Sequence, residues 1–126
     1  MIKNPKWTYS ELVLALELYM NFRPNPPGKN SPEVDQLSTL LRLNALSDRL
    51  NINNVFRNKN GVAMKLQNFR RFDPKFKGHG LRAGGALEKT IWDRYQNSNK
   101  LEKAATEIRN NIEKKLLDKI YASGNS

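Results

Sequence analysis

Between Leu12 and Met20 only Glu17 interrupts an otherwise apolar run. A segment that is apolar on nearly every side cannot lie on a surface and has to be surrounded by other elements. Thr8 with Glu11 three positions later reads as a capping box, and Trp7 can staple back onto the first turn, so the run begins as a helix. Phe22-Arg23-Pro24 ends it, because the residue before a proline disfavours the α region. The rest of the chain is therefore expected to wrap helices around a central one.

Those helices are legible in turn. Asn25 to Asn30 is a stiff Pro-Pro-Gly loop. Ser31-Pro32-Glu33 opens a second helix with an N-cap, a proline at the first position and an acid in the first turn. Its buried stripe is Val34, Leu37, Leu40 and Leu41. A separate short helical turn is expected from about Ala45 to Leu50, and a turn from Asn51 to Asn54. A further helix is expected from near Asn60 to about Phe72, with Val62, Leu66 and Phe69 facing inward and Lys65, Asn68 and Arg71 on another face. Asp73-Pro74 terminates it, and a Gly/Lys-rich loop follows to Gly85. Ala86 to Gln96 is helical, with Leu87, Ile91, Trp92 and Tyr95 as its apolar side and Glu88 and Asp93 at the surface. Ser98 or Asn99 caps a last helix whose stripe, Leu101, Ala105, Ile108, Ile112, Leu116 and Ile120, recurs at near-heptad spacing. The expected fold class is all-α: one compact domain over residues 1–126 with about five helices, a core from about 7 to 120 and a tail over 122–126.

Composition removes several kinds of chemistry. Cysteine is absent, which excludes disulfides, thiolate metal sites and a cysteine nucleophile. The single histidine, His79, cannot build a multi-histidine metal site. It reads either as an exposed loop residue or as a contact to a phosphate or base. No catalytic residue, metal site or cofactor is expected. No apolar run reaches the roughly 20 residues of a membrane span, and the N-terminus lacks a signal peptide's apolar stretch, so a cytoplasmic protein without a membrane partner is expected.

What remains is charge. The chain carries +10, and Arg57 to Arg82 holds eight basic residues against one acid, a net +7 within that segment. Charge concentrated in this way suggests a docking face for a polyanion, with a plain solvated basic surface as the alternative. Phosphate oxygens need cationic or amide donors, supplied by Lys59, Lys65, Arg71, Lys75, Lys77, His79 and Arg82. Asn58, Asn60, Gln67 and Asn68 are of the types that read adenine edges, and arginine suits guanine. Asn60 also reads as turn or cap chemistry. Phe56 and Phe76 could offer apolar contact to a base or sugar, whereas Phe72 reads as core. Gly84-Gly85 ahead of a helix reads equally as an anion seat or a plain junction.

Certain residues carry a resemblance. They are Trp7-Thr8 with Glu11-Leu12 and Ala15-Leu16, Phe56-Arg57-Asn58, Gly61 to Leu66, Asn68-Phe69, Asp73-Pro74, and Gly84-Gly85 with Trp92. Over about Trp7 to Ile108 the chain resembles the helical DNA-reading domain that precedes HNH nuclease domains in modification-dependent, type IV (Mcr-like) restriction enzymes, a group that includes the sulfur-binding domains recognising phosphorothioated DNA. The resemblance implies a reader of modified double-stranded DNA that leaves cutting to a fused or partner HNH nuclease. It also implies a sulfur cup involving Phe56 and Arg57, with Arg82 and Arg23 nearby. A proline follows the aromatic residue in that cup; here Arg57 follows Phe56, which makes the site more polar. A reader of 5-methylcytosine or 5-hydroxymethylcytosine on the same scaffold stays open. So do a non-specific DNA-binding module, a small nuclease and a homodimer formed through the Leu101–Ile120 stripe.

Overall fold

The computed structural model describes residues 4–77, 85–96 and 99–124. Over these residues it contains five α-helices and no strand: α1 Tyr9–Phe22, α2 Pro32–Ser47, α3 Lys59–Arg70, α4 Ala86–Tyr95 and α5 Lys100–Gly124. The chain is a compact all-α domain. No helix among the described residues is long and apolar enough to cross a membrane.

α1 is the hub and packs against each of the other four helices. Leu12 to Leu16 and Tyr19 are all buried. Both halves of its capping box are made: the Glu11 amide donates to Thr8 Oγ1 (3.2 Å) and the Thr8 amide to Glu11 Oε1 (2.8 Å). Around it pack the expected stripes of Val34, Leu37 and Leu41 from α2, Val62, Leu66 and Phe69 from α3, and Ile91, Trp92 and Tyr95 from α4.

Four expectations are corrected. The turn expected from Ala45 to Leu50 is the end of α2 itself, which runs unbroken through Asn44 because Ala45 packs into the core. It closes in a Schellman arrangement: Arg49 is left-handed (φ 62°), its amide donates to the Leu46 carbonyl, and the Leu50 amide reaches back to Ala45. α3 starts at Lys59 and ends at Arg70, since Asn58, not Asn60, is the cap, its Oδ1 accepting from the Gly61 amide at 2.8 Å. Leu87 is exposed, and the inward position it was expected to take near the start of α4 is held by Glu88. The stripe of α5 buries Leu101, Ala105 and Ile112 but leaves the core after Leu116, so that Ile120 is exposed; the helix itself continues to Gly124, where a tail was expected from Ala122. Ser98 lies outside the described residues.

Candidate nucleic-acid interface

α3 is fixed to the bundle by ion pairs before it, within it and after it. Ahead of it, Arg57 is 5% exposed and spans two carboxylate oxygens of Glu11 on α1, Nε to Oε2 and Nη2 to Oε1, both at 2.9 Å. Its Nη1 and Nη2 also donate to the carbonyls of Pro5 and Lys6 (2.9 and 3.1 Å), and its guanidinium lies 5.0 Å from the Trp7 ring. In mid-helix, Lys65 donates to Glu88 Oε1 of α4 at 2.7 Å. Burial would raise the Glu88 carboxyl, but the hydrogen bond from Lys65 and the amides at the start of α4 bring it below its ordinary value. The carboxylate folds over that helix start so closely that a Cβ on Gly85 would meet Glu88 Oε2 at 2.3 Å.

After α3, Asp73 is 2% exposed and accepts from Tyr19 Oη (2.7 Å), Arg23 Nε (2.9 Å) and the Lys75 amide (2.9 Å), with a second Arg23 contact through Nη2. Burial by itself would push this carboxyl up. The hydrogen bonds from Arg23, Lys75 and Tyr19 override burial and hold it at about 2. The same desolvation, followed by the bond to Asp73, pushes the Tyr19 hydroxyl well above its ordinary value.

These pairs decide where the expected binding residues go. Phe56 (3% exposed) is internal and lines no groove; Arg57 (5% exposed) is held by Glu11, and the part of it that stays accessible lines the groove beside the start of α3. Arg23 is neutralised by Asp73, and Lys65 by Glu88, in pairs that hold helices together. Asn58 spends its side-chain oxygen on the α3 cap. Asp73 and Glu88, read from sequence as a helix terminator and a surface residue, are buried acceptors instead. Phe72 packs beside Trp92 as expected, and Phe76 lies under Arg70, 3.9 Å from its guanidinium. His79 and Arg82 lie outside the described residues.

The residues that do come together are on the outward face of α3. Asn60, Met64, Gln67 and Arg71 recur at i, i+4, i+7 and i+11, which is one face of a helix, with Asn68 beside them. Asn60, Met64 and Gln67 are exposed, Asn68 and Arg71 half-buried, and no acid occurs anywhere from Lys59 to Arg71. Exposed Lys75 and Lys77 follow the helix. A groove of about 500 Å³ runs between its start and the N-terminal segment. Pro5, Trp7, Val55 and Met64 give that groove apolar walls, Asn58, Asn60 and Asn68 give it amides, and the paired Arg57 and Lys65 side chains complete its lining. Val55 and Met64 are large apolar side chains left 62% and 58% exposed. A second groove, of about 580 Å³, lies on the other side of the α3 start, against α2.

Sequence reasoning missed Val55 and Met64 because apolar residues default to the core. It missed Lys29 and Arg42 of the second groove because they lie outside the basic segment. A signal for Asp73 was present, since it is the one acid among eight cations. Among the described residues no cluster of three histidine or acidic side chains could hold a metal. No protein-family model, curated protein or solved structure matches the chain.

Proposed function

We propose that this chain is a duplex-DNA-binding domain that presents the outward face of α3 to the major groove and reads a modified duplex there. The observation that carries the reading is the α3 face itself. It is acid-free, lined with amide and arginine side chains suited to base edges, followed by lysines suited to phosphates, and held rigid from behind by buried ion pairs. A helix clamped in this way loses little further freedom on binding.

The modification favoured is a phosphorothioate. Sulfur is larger and less hydrated than oxygen, and a groove with apolar walls beside amide and cationic side chains accommodates it with less desolvation loss than a fully hydrated phosphate oxygen. The groove between Pro5, Trp7, Val55 and Met64 has that character, with Arg57 and Lys65 also in its lining, so it keeps Arg57 of the cup expected from the resemblance and leaves out Phe56. The exposed Val55 and Met64 also suit a pyrimidine C5 methyl, which supports 5-methylcytosine as the second reading. In either case strand cleavage is assigned to a separate HNH nuclease domain or subunit, with this chain as its reader.

The test is a binding panel of one duplex sequence in plain, phosphorothioated and C5-methylated forms. Tighter binding of the phosphorothioated form, lost in Met64→Ala, is expected. Equal affinity for all three removes the reading of modification, and no binding to any duplex removes the function.

A further inference from the structure

Resting on that reading, we propose that the groove between α2 and the start of α3 seats a phosphodiester of one DNA strand. α3 then lies across the major groove, with its N-terminal end on that strand and Arg71, Lys75 and Lys77 on the opposite one.

The groove, of about 580 Å³, brings three cations, Lys29, Arg42 and Lys59, to one concavity that contains a single acid, Asp35. Arg42 is a fixed charge: its Nη1 donates to the carbonyls of Asn53 (3.1 Å) and Phe56 (2.6 Å), and it has no carboxylate partner among the described residues. The Lys59–Asp35 pair is 3.7 Å apart, with both side chains more than half exposed. Such a pair is screened and competes weakly with a phosphate. Asn30 and Asn54 add neutral donors at the rim. The Asn58 cap satisfies Gly61, which leaves the amides of Lys59 and Asn60 without an intrahelical acceptor at the positive end of the α3 dipole.

Length supplies the second half of the argument. α3 has 12 residues, so it is about 18 Å long at 1.5 Å per residue. The major groove is about 12 Å wide. Cations placed beyond both ends of such a helix therefore meet different backbones when the helix crosses the groove. A domain gripping a single strand would gather its cations at one end.

The experiment compares the wild-type chain with Lys29→Ala/Lys59→Ala and Lys75→Ala/Lys77→Ala. All four lysines are exposed, so both variants keep the fold. Duplex affinity is measured against salt, and phosphate ethylation interference is mapped on each strand. Each double variant is expected to shrink the slope of log K against log salt by about 2, at roughly 0.9 per phosphate released. Interference should weaken on one strand in the first variant, where Arg42 remains, and on the other strand in the second, where Arg71 remains. An unchanged slope in Lys29→Ala/Lys59→Ala, or weaker interference on the same strand in both variants, overturns this inference while leaving DNA binding intact. A wild-type chain that binds no duplex overturns the proposed function along with it.

Discussion

Replacing Arg57 with alanine separates a structural role from a binding one. The Arg57 and Glu11 side chains are 4% and 9% exposed, so the substitution leaves the Glu11 carboxylate buried without its counter-charge. It also strips donors from the Pro5 and Lys6 carbonyls. Breaking a buried ion pair by removing one partner costs about 3–5 kcal/mol, out of a total stability of about 5–15 kcal/mol for a domain. For the chain's 126 residues, an unfolding entropy of about 2.1 cal/mol/K per residue turns 4 kcal/mol into a Tm lowered by about 15 °C. Two further variants test the mechanism. Glu11→Gln in the Arg57→Ala background removes the orphan charge while keeping an acceptor for the Thr8 amide, and about half the loss should return. Arg57 also sits at φ 45°, so Arg57→Gly should be milder than Arg57→Ala by about 1 kcal/mol, because glycine occupies the left-handed region without strain. Thermal and urea unfolding followed by circular dichroism measure all four proteins. If Arg57→Ala melts within about 3 °C of wild type and yet loses duplex binding, Arg57 is a contact group and the assignment of the interface to the outer face of α3 is wrong.

Three other outcomes are expected. Arg71→Ala and Gln67→Ala should each weaken duplex binding by about 1–3 kcal/mol with Tm unchanged; gel shifts beside thermal melts check this, and a variant that only melts earlier counts against a reading role. Lys65→Met should lower stability and leave the salt slope of DNA binding untouched, since its charge is already matched by Glu88; a slope reduced by about one would place Lys65 on a phosphate instead. Asp73 titrates lower folded, at about 2, than unfolded, so its contribution of about 2 kcal/mol is present above about pH 4 and is lost as pH falls toward 2; urea unfolding at pH 5 and pH 2.5 should show that loss in wild type and a smaller one in Asp73→Asn, and parallel behaviour of the two would refute it.

Helices were legible in the sequence because their signals are local. The Thr8–Glu11 box, the Ser31-Pro32 start and the Val62, Leu66, Phe69 stripe all lie within a turn or two of chain, and each is made as read. The direction in which a cation points is not local. Arg57 meets a carboxylate 46 residues away, Lys65 one 23 away and Arg23 one 50 away. Each of those acids already had a nearer explanation, as a cap, a surface residue or a terminator, so nothing adjacent in sequence marked it as a partner. Charge density along the chain therefore overstates the interface, because it counts Arg57 and Lys65 but not the buried acids that neutralise them. The count also misses in the other direction, since Lys29 and Arg42 line the groove between α2 and α3 from outside the basic segment. Counterion release counts only cations that reach phosphate, so the salt slope should follow the outward set, Lys29, Arg42, Lys59, Arg71, Lys75 and Lys77, and not the +7 of the segment.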